Sequence, residues 1–212
     1  MTLTELRRLA RGNDPVALAE GWRKGVDQSL AAVGKRLAAG EALYGINTGF
    51  GKLSKTRISI DELATLQLYL VRSHAAGVGT PLADSTVRLV LVLKAASLAR
   101  GYSGVRPLLI ERLLQLVNVG IYPLVPGQGS VGASGDLAPL AHLSLALIGE
   151  GRVRVGGKEL DSARALKAAG IEPLVLGPKE GLALLNGTQV STALALEALF
   201  AAEDLLAGSI VS

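Results

Sequence analysis

The sequence predicts a mainly α-helical fold carrying one small β-hairpin, and three observations predict it. Hydrophobic residues form 49% of the 212 and include only two Phe, four Tyr and one Trp, a balance that suits packed helices better than an aromatic-rich β-sandwich. Apolar residues recur at helical spacing through most of the chain, between Gly, Asn, Asp and Pro stops. Hairpin signals concentrate in Gly151 to Leu160, around a Gly-Gly turn. A chain of this length and apolarity buries a sizeable core as one domain, at most two.

Residues 3 to 38 read as two helices broken near Gly12-Asn13-Asp14-Pro15, with Asp14 as cap and Pro15 in the first turn. Tyr44-Gly45-Ile46-Asn47-Thr48-Gly49-Phe50-Gly51 lacks periodicity and reads as a loop. Ser59-Ile60-Asp61-Glu62 restarts a helix that runs to about Ala76, where Gly77 to Pro81 stops it, placing His74 near its C-terminus. Two further helices cover 84 to 100 and 106 to 118, the second with Pro107 near its start. After the apolar stretch Ile121 to Val125 and a Gly-rich segment, Asp136 is positioned to cap a helix to about Ile148. The hairpin reads as peripheral. A short helix at 161 to 169, a segment at Lys179 to Leu185 and a long apolar helix from Gln189 to about Ala207 complete the chain. That last helix is charged only at Glu197, Glu203 and Asp204, so it belongs inside a larger bundle.

Composition excludes several function classes. With no cysteine, disulfides, thiolate metal sites and cysteine nucleophiles are ruled out, and the expected compartment is the cytoplasm. The opening Met1 to Gly12 is charged and amphipathic, with no secretory apolar region. Apolar runs such as Leu137 to Gly149, interrupted by Pro139 and His142, fall short of the ~20 residues that cross a bilayer, so no membrane partner is expected. The net charge of +4, from 22 basic and 18 acidic residues, is spread evenly, without the dense basic patch that nucleic-acid binding needs.

The segment Pro126-Gly127-Gln128-Gly129-Ser130-Val131-Gly132-Ala133-Ser134-Gly135 admits several readings. Gly127-x-Gly129-x-x-Gly132 matches a dinucleotide fingerprint in form, but Pro123 and Pro126 spoil the strand that should precede it and a hairpin follows the next helix. A nucleophile elbow fails because Asp136 stands where its last glycine is needed, and a P-loop fails for want of Gly-Lys-Ser/Thr. A flexible loop capping a helix fits the composition. So does chemistry. Attack of the Gly135 amide nitrogen on the Ala133 carbonyl carbon closes a five-membered ring, which requires a sharply folded main chain and no side chain at the attacking residue. Loss of the Ser134 hydroxyl then leaves an exocyclic methylene, two waters having departed.

That ring is 4-methylideneimidazol-5-one, and the sequence here resembles the aromatic amino acid ammonia-lyase family. The resemblance rests on Tyr44 to Gly51, on Gly129-Ser130-Val131-Gly132-Ala133-Ser134-Gly135-Asp136-Leu137-Ala138-Pro139-Leu140, and on Leu185-Asn186-Gly187-Thr188-Gln189, in the family's order. It implies a helix-rich, N-terminal part of the ammonia-lyase/fumarase-like helical bundle over 1–212, with a C-terminal helical half absent. It also implies a self-made electrophile from Ala133, Ser134 and Gly135 in place of metal, nucleotide or pyridoxal phosphate. By the same resemblance Tyr44 is the base for the β-proton and Asn186 hydrogen-bonds at the ring and substrate. Helices after Asp136 and Gly187 would aim positive dipole ends at the ring.

Ser73-His74 resembles the histidine-specific branch, in which His74 hydrogen-bonds the substrate imidazole. The implied reaction is elimination of ammonia from L-histidine to trans-urocanate, the first step of histidine degradation, in a cytoplasmic homotetramer. Family members are much longer and draw further tyrosine, arginine, glutamine and glutamate residues from their C-terminal half, so 1–212 alone is expected to be inactive. An aminomutase using the same ring and a non-catalytic helical assembly module remain as rival readings.

Overall fold

The computed structural model describes residues 1–49, 58–59 and 62–211. Phe50 and Gly51 of the first motif, and Ile60 and Asp61 of the predicted helix start, lie outside the described residues. Helix α1 (Leu3–Arg11) opens on a capping box in which the Thr2 side chain and the Glu5 carboxylate bond each other's backbone N–H. Then come α2 (Trp22–Ala38), α3 (Leu63–His74), β1 (Val78–Pro81), α4 (Asp84–Leu98), α5 (Pro107–Asn118), β2 (Ile121–Pro123) and β3 (Pro126–Gln128). The remainder is α6 (Leu137–Leu147), β4 (Arg152–Val155), β5 (Lys158–Asp161), α7 (Ser162–Ala168), α8 (Glu180–Leu185) and α9 (Gln189–Val211). The mainly α fold class holds.

Helix α4 is the centre of the bundle. Its run from Thr86 to Val92 is buried on every face, which suits a helix enclosed on one side by α5 and on another by α9. Leu89, Leu91, Ile110, Leu113, Leu116, Leu140, Leu143 and Leu147 are fully enclosed, and burying each such side chain contributes roughly 1.5–3 kcal/mol.

A second helix starting at Pro15 is not formed. The chain from Gly12 to Glu20 has no helical structure, and α2 starts only at Trp22 after Gly21 in a left-handed conformation. The cause is tertiary. Buried Arg88 donates to the carbonyls of Asp14, of Leu9 at 2.8 Å and of Val117 at 3.3 Å. Asn118 meanwhile bonds both backbone groups of Val16, at 2.8 and 3.0 Å. These contacts satisfy the main chain without a helix.

Two small sheets frame the bundle. Strands β2, β4 and β5 form one, in that order. The expected hairpin turns through Gly156 and Gly157, both at positive φ, as a two-residue turn requires. It is less peripheral than its sequence suggests, because Val153 is fully buried and Arg154 pairs with Asp84 at the start of α4 at 2.6 Å. The other sheet was not foreseen. Gly77 to Pro81, read as a helix stop, supplies β1, which pairs antiparallel with β3 from Val78 opposite Gln128 to Pro81 opposite Pro126. This pairing ties the end of α3 to the start of the Gly-rich segment. Among the described residues no helix is long and apolar enough to cross a membrane.

Candidate active site

Ser73 and His74 are the last two residues of α3. His74 Nδ1 lies 2.8 Å from the Leu70 carbonyl oxygen, which can only accept, so Nδ1 carries the proton. In the neutral ring Nε2 is then an acceptor. Ser73 Oγ donates to the same carbonyl at 3.1 Å and lies 3.2 Å from His74 Nδ1, on the same edge of the ring. The second histidine, His142, does a different job: its Nε2 accepts from the Gly77 amide at 3.0 Å, and burial holds its pKa below the ordinary histidine value.

Ala133 and Ser134 are exposed, whereas Gly135 and Asp136 are buried. Ser134 adopts φ +69° and Gly135 φ +127°, so the chain folds sharply at the tripeptide. A left-handed serine costs on the order of 1 kcal/mol and persists where its surroundings impose it. The surroundings here are the Gly187 backbone. A Cβ on Gly135 would lie 2.6 Å from Gly187 O and 2.7 Å from Gly187 N, and the Asp136 amide donates to Gly187 O at 2.7 Å. Because α6 starts just after Asp136 and α9 just after Thr188, this contact brings two helix N-termini to the tripeptide.

Asp136 does not cap α6 with its side chain. Its carboxylate crosses to α9 instead, accepting from Ser191 N at 2.8 Å and Ser191 Oγ at 2.5 Å, and from Ser130 Oγ at 2.9 Å. It therefore caps the neighbouring helix.

Tyr44 begins a tight turn. Within it Asn47 Oδ1 accepts from Leu43 N at 2.7 Å, and the Gly45 amide donates to Thr48 Oγ1 at 3.3 Å. Gln67, fully buried on α3, reaches Gly45 O at 3.5 Å through Nε2 and accepts from Leu182 N at 3.0 Å through Oε1, coupling the Tyr44 turn to α8. Asn186 ends α8. Its carbonyl accepts from Lys94 Nζ at 3.0 Å, and burial lowers the Lys94 pKa to about 7, with the Lys179 charge adding to the effect.

These elements enclose a cavity of about 450 Å³ whose lining includes Tyr44, Ser73, His74, Ser134 and Asn186. Five residues singled out from three separate motifs and a helix end thus share one space, with Leu66, Leu70, Leu137, Leu182 and Leu185 as its apolar wall. Ala133 and Gly135 flank Ser134 in the chain without lining the cavity. Such a mixture of apolar wall and few converging polar groups suits a small molecule. Sequence reasoning missed Gln67 and Lys94, though a lone lysine inside Leu89 to Ala96 was a visible anomaly in an otherwise apolar run.

A mainly helical bundle thus presents a sharply folded Ala-Ser-Gly turn between two helix N-termini, beside a cavity suited to a small molecule. Residues 1–212 match the aromatic amino acid lyase family, and the chain belongs to it. It is 57% identical over 212 residues to the histidine ammonia-lyase of Paracidovorax citrulli (strain AAC00-1), all of this chain aligning with 41% of that protein. Among solved structures, histidine ammonia-lyase from Trypanosoma cruzi superposes with a TM-score of 0.87 at 37% identity, covering 94% of this chain and 39% of that one. Tyrosine aminomutase from Streptomyces globisporus gives a TM-score of 0.87 at 38% identity, covering 92% and 37%. The chain spans about two fifths of the length of the curated relatives it matches.

Proposed function

We propose that the protein containing this chain eliminates ammonia from L-histidine to give trans-urocanate, and that residues 1–212 are its N-terminal, active-site-loop-bearing part. The observation that carries this reading is the convergence of Tyr44, His74, Ser134 and Asn186 on one cavity. The residues fit a ring made from Ala133, Ser134 and Gly135, since the turn is already folded at positive φ and the space beside Gly135 admits no side chain. Once formed, 4-methylideneimidazol-5-one supplies the electrophilic methylene that makes loss of the amine feasible.

The chain's own groups do the rest. His74 Nε2 accepts the imidazole N–H of the substrate, a bond that a Phe side chain cannot supply, and its Leu70 partner fixes the tautomer that permits it. The Tyr44 oxygen removes the β-proton as the carbon–nitrogen bond breaks, the electron pair becoming the new double bond. Asn186 orients the substrate through its amide. Groups for the substrate carboxylate come from outside 1–212, so this segment alone is inactive.

We further propose a cytoplasmic homotetramer, supported by the exposed Leu205, Leu206 and Ile210 of α9, at 76%, 62% and 77% exposure, which a larger bundle would cover. The test is incubation of the full-length protein with L-histidine, followed by urocanate absorbance and intact mass. Urocanate, with a deficit of two waters in the Ser134 peptide, supports the reading. No urocanate but a β-amino product from tyrosine or phenylalanine points to an aminomutase. Wild-type activity in Ser134→Ala removes the catalytic role of the tripeptide.

A further inference from the structure

Lys94 is 1% exposed in the middle of α4. An ammonium has three donors, and the acceptor it reaches is a neutral one, the Asn186 carbonyl at 3.0 Å. No carboxylate faces it among the described residues: its charged neighbour is Lys179, which repels it and is itself tied to Ser103 O at 2.5 Å. A buried charge with a single neutral acceptor costs stability, and an isosteric apolar chain would pack at the same place without that cost. The fold gains nothing from the charge. The place it serves is one peptide away from the proposed active site.

Asn186 closes α8 with an extended ψ of 115°, which turns its carbonyl out of the helix and leaves it without a backbone donor among the described residues. Its own amide is held by Leu182 O at 2.9 Å, and the next carbonyl, of Gly187, is held by the Asp136 amide at 2.7 Å. Between these two fixed points the Asn186–Gly187 peptide plane is set by what its oxygen binds. That plane governs both the Asn186 side chain in the cavity and the Gly187 backbone against Gly135.

We infer that Lys94 is a positioning residue, whose buried amino group fixes the Asn186–Gly187 peptide so that Asn186 faces the substrate and Gly187 braces the ring-forming turn. It rests on the lyase reading for its effect on turnover, not for the anchoring itself.

The experiment compares full-length wild type, Lys94→Met and Lys94→Arg by thermal midpoint, by water loss at the Ser134 peptide, and by kcat and KM for L-histidine. Lys94→Met is expected to keep or raise the midpoint while lowering kcat about tenfold, the worth of one buried hydrogen bond, with KM little changed. Lys94→Arg, which restores a charged donor, is expected to recover most of that loss. A Lys94→Met protein with wild-type kcat and complete water loss overturns the inference. So does one that fails to fold or melts lower, because the lysine would then be holding the fold, and so does an arginine no better than methionine. If wild type itself shows neither water loss nor urocanate, the lyase reading fails separately. The crystal structure of Lys94→Met then decides: a turned Asn186 peptide upholds the anchoring, and an unmoved one overturns it.

Discussion

The Asp136 carboxylate reaches from the residue after the Ala-Ser-Gly turn to Ser191 in the first turn of α9, taking its amide at 2.8 Å and its hydroxyl at 2.5 Å. Two helices that begin at the same place are thereby locked together through one side chain, which is 1% exposed. The bond to the Ser191 amide also satisfies a donor that a helix start leaves open and puts a negative charge at its positive end.

Asp136→Ala is expected to lower stability by about 1–3 kcal/mol, since the Ser191 amide and two hydroxyls lose their buried acceptor together, and to reduce ring formation. Asp136→Asn should be milder. Its amide can turn to keep oxygen on the Ser191 N–H while the Ser130 and Ser191 hydroxyls rotate to accept from nitrogen. Urea midpoints and the mass of the Ser134 peptide check both variants. Equal losses from alanine and asparagine would mean that the charge, not the hydrogen-bond pattern, is what matters.

Gly135→Ala tests the compressed turn directly. The new methyl would sit 2.6 Å from Gly187 O at φ +127°, so either the turn opens or Gly187 retreats, at a cost of about 3 kcal/mol or more. Full-length Gly135→Ala is expected to show no water loss at Ser134 and no urocanate. A matured, active alanine variant would show that the close approach is not required.

Much of this arrangement was legible in the sequence, and the rest was hidden for identifiable reasons. Helices such as α4 and α5 announced themselves through local signals, Pro107 at a first turn and apolar periodicity, which depend on neighbours a few residues away. What failed was non-local. Asp14-Pro15 has the chemistry of a helix start, yet Arg88, far along the chain, takes the Asp14 carbonyl first. Gly77 to Pro81 reads as a breaker until Gln128 and Pro126 arrive to pair with it. Tyr44, Ser134 and Asn186, which line the cavity, were singled out through their motifs. The groups that hold them, Gln67, Lys94 and the Ser191 end of the Asp136 bond, carry no local signature because each acts on a partner distant in the chain.

Substrate choice should follow His74. Replacing it with alanine removes one hydrogen bond to the imidazole, which for a desolvated partner is worth about 1.5–3 kcal/mol, or roughly ten- to a hundredfold in kcat/KM. The same change should leave water loss at Ser134 intact, because the bonds of His74 run to Leu70 and Ser73 and not to the turn. Steady-state kinetics with L-histidine beside the mass measurement separates the two effects. A His74→Ala enzyme with unchanged kcat/KM would place the imidazole elsewhere.

Lys94 also makes stability depend on pH in a direction opposite to the usual surface lysine. Burial lowers its folded pKa to about 7, against the ordinary lysine value of 10.5. Below pH 7 the lysine is protonated in both states, and the folded protein bears the full cost of enclosing the charge. As pH rises above 7 the folded protein sheds the proton while the unfolded chain keeps it, so the unfolded state binds more protons and stability climbs with pH until the unfolded lysine also titrates. Integrated over that window, the gain has a ceiling of about 5 kcal/mol. The urea midpoint of the full-length protein, followed from pH 6.5 to 9.5 and compared with Lys94→Met, isolates this contribution from every other titrating group. Wild type is expected to lag the methionine variant at the acid end and to close the gap as pH rises. Parallel curves would mean that Lys94 keeps its proton throughout, held by the Asn186 carbonyl more firmly than its burial implies.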